Sequence, residues 1–190
     1  MRIIAGLAKG RNLASPQGAV RPTSDRAREA LFSTLESEFG SLSDLNFLDL
    51  YCGSGAVSAE ALSRGAGFVQ AVDKEEKVTS IARSNHEMLQ NIPGIGSSSV
   101  ITMSTVRFLE RPADAKFDIV FLDPPYELND VEVSKVLAAL VNNAFLKAGS
   151  VVAIERGSKR AVIEWPPGLR PLKERRYGAA TIFYAEAESA

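Results

Sequence analysis

Read by the spacing of its apolar positions, the chain changes period several times. Residues 2–15 carry two short apolar pieces, Ile3-Ile4 and Leu13-Ala14, separated by Gly6, Gly10 and Asn12; this is a hairpin-like pattern too small to fold alone. Ala27, Ala30, Leu31, Leu35 and Phe39 then recur at helical spacing, which predicts an amphipathic helix of about four turns. Pro22-Thr23-Ser24-Asp25 supplies its start, with a hydroxyl for the N-cap and an acid in the first turn. From residue 46 onward apolar strands alternate with helices. Strands are expected at 46–51, 68–73, 99–103, 117–122 and 150–155, and helices at 56–64, 74–90 and 131–140. Two last strands, 171–177 and 181–185, meet at Gly178. Such alternation gives an α/β fold: a mostly parallel sheet with helices on both faces, closed by a C-terminal antiparallel strand pair and preceded by a small N-terminal hairpin extension. The division expected is residues 1–20 for the extension and 21–190 for the domain.

Composition narrows the class. At 190 residues and 45% hydrophobic, the chain can bury one sizeable core but not two. No stretch approaches the roughly 20 apolar residues of a membrane span, and the start Met1-Arg2-Ile3-Ile4 lacks a signal peptide's apolar region. A soluble, cytoplasmic monomer is expected. One cysteine, Cys52, and one histidine, His86, leave no ligand set for a structural zinc, so no metal is expected.

The formal net charge of −1 hides a segregation. Residues 1–28 carry six basic groups against Asp25, and residues 156–177 carry seven against Glu164 and Glu174. Residues 29–155 hold nine basic and eighteen acidic groups. Basic ends can grip a polyanionic backbone while an acidic centre hosts a cationic small molecule; solvated surface charge gives the same counts.

Two motifs carry chemistry. Asp49-Leu50-Tyr51-Cys52-Gly53-Ser54-Gly55 leaves the first strand of the sheet and opens a helix, where doubly wound folds bind nucleotides. Gly53 and Gly55 allow a tight turn, and Asp73, 18 residues after Gly55, ends the next strand where a carboxylate can accept both hydroxyls of a ribose. The bland alternative, glycines that merely end a strand and an aspartate that caps a helix, fits a lone Gly-x-Gly better than this combination. A nicotinamide enzyme shares the geometry, but Ser58 stands where that fingerprint wants glycine or alanine, so a cofactor without a pyrophosphate fits better. The second motif is Asp123-Pro124-Pro125-Tyr126, directly after the apolar strand 117–122. The exocyclic amine of a purine is a poor nucleophile because its lone pair is delocalised into the ring. The Asp123 carboxylate and the Pro124 carbonyl can accept its two hydrogens and favour a pyramidal nitrogen, while the prolines stiffen the turn and Tyr126 offers a ring on which an extruded base stacks. The competing reading is an ordinary proline turn. Cys52 reads as a small loop residue, His86 as a surface residue beside an apolar helix face, Glu155 as a strand-end acid near the same edge, and Trp165 as a packing residue.

These residues together resemble the RsmD family: Arg2-Ile3-Ile4-Ala5-Gly6, the run from Arg21-Pro22-Thr23-Ser24-Asp25 through Phe32, the loop 48–55 with Glu60-Ala61-Leu62-Ser63-Arg64-Gly65-Ala66, and Asp123 to Tyr126. The resemblance covers nearly the whole chain. It implies the class I (Rossmann-like) methyltransferase fold, S-adenosyl-L-methionine as donor, and methylation of guanine N2 in small-subunit ribosomal RNA, with small-subunit particles as the setting. Asp49, Gly53, Gly55 and Asp73 would then hold the cofactor, joined by Tyr51, Ser54, Lys74, Ser104 and Thr105. Asp123, Pro124, Pro125 and Tyr126 would hold the target base. The N-terminal extension would engage RNA through Arg2, Lys9 and Arg11, joined by Arg21 and Arg28 at the start of the domain. Placed ahead of the catalytic fold, the extension is expected to be removable without unfolding the rest. Ser104-Thr105-Val106 departs from the pattern, lacking the acid that many class I enzymes use against the adenine amino group. The residues alone serve adenine N6 on RNA or DNA as well as guanine N2; a nicotinamide oxidoreductase and a non-catalytic RNA-binding assembly factor are the rival classes.

Overall fold

The computed structural model describes residues 1–16, 25–125, 127–157 and 162–188. Among the described residues five helices and seven strands follow one another as α1 (Asp25–Phe39), β1 (Asn46–Leu50), α2 (Ala56–Ser63), β2 (Phe68–Asp73), α3 (Glu76–Gln90), β3 (Ser97–Thr102), α4 (Thr105–Leu109), β4 (Phe117–Leu122), α5 (Asp130–Asn142), β5 (Leu146–Gly157), β6 (Leu169–Tyr177) and β7 (Ala180–Ala187). The strands form one sheet in the order β3-β2-β1-β4-β5-β7-β6. β3 through β5 run parallel, and β7 and β6 close the sheet antiparallel.

The central strands are apolar on both sides because both sides are covered. Phe47, Val69, Ile119, Phe121 and Val151 face Leu31, Phe32 and Leu35 of α1, Val57 and Leu62 of α2 and Leu89 of α3. Leu48, Leu50, Val120, Leu122 and Val152 face Phe108 of α4 and Val133, Val136, Leu137 and Leu140 of α5. The outer strand β6 presents Arg170, Glu174, Arg175 and Arg176 to solvent, with a register shift at Pro171; charge and a proline bulge blunt an otherwise open sheet edge.

Helix α4 escapes the periodicity reading because five residues complete too few turns to show an apolar face. The N-terminal segment has the expected hairpin connectivity, with one antiparallel bridge between Arg2 and Asn12 and hydrogen bonds from Ile3 N to Arg11 O and Gly10 N to Ile3 O. It is not a detached arm. Ile3, Ala8 and Leu13 belong to the buried core, and α2 holds the backbone: Glu60 accepts from Ile4 N (2.8 Å) and Ala5 N (3.0 Å), and Ser63 Oγ accepts from Ala8 N (3.0 Å). Gly6 passes so close to α2 that a Cβ there would lie 1.8 Å from Ser63 O. The proposed helix cap at Pro22-Thr23-Ser24, together with Arg21 and Tyr126, lies outside the described residues.

Candidate active site

Between β1 and β4 the strand order reverses direction, and α2 and α5, which follow these strands, pack on opposite faces of the sheet, the arrangement in which open α/β sheets bind ligands at the carboxyl ends of their strands. The loop after β1 fills this edge with three left-handed residues, Tyr51 (φ 61), Gly53 (φ 53) and Gly55 (φ 74). The two glycines serve different needs. A Cβ at Gly55 would meet Ala82 Cβ at 2.9 Å, so glycine lets α3 pack against the loop, whereas nothing lies within 4 Å of a Cβ at Gly53 and the backbone there is open to a ligand. Asp73, at the end of β2, is pinned by Gly53 N to Oδ2 and Glu75 N to Oδ1, both 3.0 Å. Asp49 Oδ2 accepts from Ser58 N at 3.0 Å in the first turn of α2.

Register explains why the acids converge. Asp49 pairs with Ala71 of β2 and with Phe121 of β4, and Phe121 pairs with Ala153 of β5. Asp73, Asp123 and Glu155 each lie two residues further on, so strand alternation puts all four carboxylates on the same side of the sheet at its carboxyl edge. Burial pushes the Asp49 carboxyl up to about 7, and the negative charges of Asp123 and Asp73 push the same way. An edge that resists further negative charge favours a ligand carrying a positive one. These residues therefore fit S-adenosylmethionine: an open glycine backbone, a fixed strand-end carboxylate for ribose hydroxyls, and acids that suit a sulfonium and an ammonium. Lys74 follows Asp73 and is exposed beside Glu75; Ser104 caps α4 by accepting from Arg107 N at 3.4 Å; Thr105 is buried. Tyr51 is half-buried, and burial pushes its phenol up. All four stand at this edge, since Thr102 pairs with Asp73.

The second motif leaves β4 next to the first. Asp123 N donates to Leu50 O at 3.3 Å, joining the two loops, with Pro124 buried and Pro125 exposed. The following loop is tied down by Leu128 N to Pro125 O (3.0 Å) and by a capping box in which Asn129 and Glu132 start α5. Arg156, one of the seven basic groups counted in residues 156–177, is only 4% exposed: its Nη2 donates to Leu128 O (2.8 Å) and Asp130 Oδ1 (3.2 Å), holding this loop.

Two further readings are corrected. Arg28 is no RNA contact, because its side chain is fully buried, donating to Arg2 O (2.7 Å) and Asp25 Oδ1 (3.0 Å) and lying 3.6 Å from Glu60. His86 is not a surface residue. It is 3% exposed with Nε2 3.0 Å from Ser58 Oγ, and burial lowers its pKa to about 4. Asn85, also buried, bridges the cofactor loop and the N-terminal segment, a role sequence reasoning missed. The signal was there: Ala82, Asn85, His86 and Leu89 are spaced as one buried helix face. Arg2, Lys9 and Arg11 are exposed, and Arg2, Lys9 and Arg26 line an open hollow of about 360 Å³ with Asp25 and Glu29. Cys52 is buried with its thiol pushed well up by burial, which rules it out as a nucleophile at neutral pH. Trp165 packs against the α5 side of the core. Among the described residues no cluster of His, Cys, Asp or Glu could hold a metal ion, and no helix is long and apolar enough to cross a membrane.

Sheet order, antiparallel closure and glycine loop define an α/β protein of the class I methyltransferase fold. The comparisons name the family: the family described as Conserved hypothetical protein 95 matches residues 1–186, and the chain belongs to it, the RsmD family. The chain is 34% identical over 181 residues to ribosomal RNA small subunit methyltransferase D of Haemophilus influenzae, covering 94% of this chain and 89% of that one. It matches the solved structure of Escherichia coli yhhF, provisionally named a methyltransferase, with TM-score 0.86 and 25% identity, over 100% of this chain and 99% of that one. The fold is also that of magnesium protoporphyrin IX methyltransferase from Synechocystis, solved with bound S-adenosylmethionine (TM-score 0.65, 18% identity, 91% and 87% covered).

Proposed function

We propose that this protein transfers a methyl group from S-adenosylmethionine to the exocyclic N2 amine of a guanine in small-subunit ribosomal RNA. The observation that carries the reading is the convergence of Asp49, Asp73 and Asp123 on one side of the sheet edge, beside an open glycine backbone. Family membership supports the methyl-transfer chemistry, and the names of relatives support the ribosomal substrate. When bound, the donor supplies an electrophilic methyl group on a positively charged sulfur.

The chain's own residues do the rest. Asp73 accepts hydrogen bonds from ribose hydroxyls, its two oxygens already oriented by Gly53 N and Glu75 N. Tyr51, Gly53, Ser54 and Gly55 shape the loop against the donor, and Lys74, Ser104 and Thr105 border its adenine side. Asp123 and the Pro124 carbonyl accept the two hydrogens of the target amine, localising its lone pair; as the amine is alkylated, the carboxylate is the acceptor at hand for the proton it sheds. The anchoring of Asp123 N on Leu50 O supports a preorganised acceptor that need not move during reaction. Tyr126 stacks on the extruded base. Arg2, Lys9 and Arg11, exposed on the docked N-terminal segment, grip RNA phosphates. The test is to incubate the protein with labelled donor and free ribosomal RNA, partly assembled small subunits or DNA, and to map the labelled base. Label on guanine N2 of small-subunit RNA is expected; label on adenine N6, or on DNA alone, overturns the substrate assignment.

A further inference from the structure

Asn85 sits in the middle of α3, outside both the cofactor loop and the N-terminal segment, yet its side-chain amide bonds to both. Its Oδ1 accepts from Ala14 N at 2.9 Å, and its Nδ2 donates to Ala14 O at 3.0 Å and to Ser54 O at 2.9 Å. The orientation of the amide is decided by its partners. Ala14 N can only donate and the two carbonyls can only accept, so the flipped amide would face mismatched groups at all three positions. Each target matters. Ser54 lies between the two glycines of the cofactor loop, and the Ser54–Gly55 peptide is held on its other side by Gly55 N to Cys52 O at 2.9 Å. Ala14 closes the N-terminal segment that carries Arg2, Lys9 and Arg11. One 3%-exposed side chain thus fixes a peptide plane in the cofactor loop and the end of the basic segment together.

We infer that Asn85 is a positioning residue that couples donor binding to RNA binding. The inference rests on the proposed function, in which the cofactor loop takes the donor and the N-terminal segment takes RNA. Ordering the cofactor loop around the donor fixes Ser54 O, hence the Asn85 amide, hence Ala14; the Ala14 end of the segment then meets RNA already ordered, and the entropic cost of ordering it is met once for both ligands. By linkage, RNA must tighten donor binding by the same factor that donor tightens RNA binding. The segment does not depend on Asn85 for its fold, because Glu60, Ser63 and the buried Ile3, Ala8 and Leu13 dock it independently.

The experiment measures affinity for an unmodified small-subunit ribosomal RNA transcript with and without saturating S-adenosylhomocysteine, in the full-length protein and in Asn85→Ala and Asn85→Asp. The wild type should bind RNA about 5-fold or more tightly with the nucleoside present, the lower end of typical coupling. In Asn85→Ala both ligands should still bind, with the ratio falling to within about 2-fold of unity. Asn85→Asp keeps the acceptor for Ala14 N but loses both donations, including the one to Ser54, so it should uncouple the sites as Ala does. A merely structural role would lower the melting temperature and both affinities while leaving the ratio intact, and that result overturns the inference. So does a wild type that binds both ligands with no linkage, which leaves the methyltransferase assignment standing. A wild type that binds neither ligand overturns the proposed function and this inference with it.

Discussion

Glu60→Ala should be among the most destabilising single substitutions in the chain. Glu60 lies in α2 with no solvent exposure, and its carboxylate accepts from Ile4 N, Ala5 N and Arg64 Nε (2.9 Å) while sitting 3.6 Å from the equally buried Arg28. Removing it leaves a buried guanidinium whose remaining anionic partner, Asp25, is 60% exposed and therefore weak. It also strands two backbone N–H groups of the N-terminal segment. Breaking a buried pair by deleting one member costs about 3 to 5 kcal/mol, because the surviving charge is uncompensated. In a chain of this size each kcal/mol moves the midpoint by roughly 2 to 4 °C, so thermal unfolding should fall on the order of 6 to 20 °C. Glu60→Gln, which keeps the shape and one acceptor, should fall between. The same reasoning revises the expectation that residues 1–15 are dispensable: deleting them removes Ile3, Ala8 and Leu13 from the core and the donors from Glu60, and should unfold the domain. Denaturant unfolding of Glu60→Ala within about 1 kcal/mol of wild type would refute the ion-pair argument.

Three further outcomes are expected. Asp73→Ala should weaken S-adenosylmethionine and S-adenosylhomocysteine by about 1.5 to 3 kcal/mol, measured by calorimetry, through loss of charge-assisted ribose contacts and of the acceptor for Gly53 N; unchanged affinity would move the ribose contact elsewhere. Asp49, whose folded-state pKa is raised from 3.8 to about 7, stabilises the unliganded protein in its protonated form below about 4 and loses that contribution as pH rises toward 7. Asp49→Asn should therefore gain stability relative to wild type between pH 5 and 8 in paired melts, and a flat difference across that window would count against a buried, raised carboxyl. Neutralising Lys9 and Arg11 together should flatten the dependence of log RNA affinity on log salt by about one to two units without changing donor affinity; an unchanged slope would take the phosphate grip away from this segment.

Much of this architecture was readable because its signals are local. Strand runs such as 68–72 and 117–122 are mostly apolar, with Gln70 and Asp118 the polar exceptions, and both are followed at once by an acid, Asp73 or Asp123, at a strand end where the fold places ligands. The convergence of those acids with Asp49 needs the register between strands, which no single run encodes. Burial of polar residues was the main source of error. In a charge count Arg28 is one more positive charge, though it pairs with Glu60 beneath the N-terminal segment, and His86 taken alone reads as a surface residue although Ala82, Asn85, His86 and Leu89 share one face. Arg156 shows the same limit: a charge count is blind to the loop carbonyl that a buried guanidinium holds. Boundaries moved where tertiary pairing extends a strand, as in β5, whose first residues join Phe117 through Leu146 before the apolar run begins.

The central claim is that Asp123 acts on the target amine and not chiefly on the donor. It is tested most directly by single-turnover methyl transfer to unmodified small-subunit ribosomal RNA by wild type and Asp123→Ala, alongside S-adenosylmethionine affinity for both. The account predicts label on guanine N2 with the wild type, a rate loss of roughly 10²-fold or more in the variant, by analogy with removing one preorganised transition-state hydrogen-bond partner, and donor affinity largely unchanged. A variant that transfers methyl groups at the wild-type rate, or one whose defect is wholly a loss of donor binding, would contradict it.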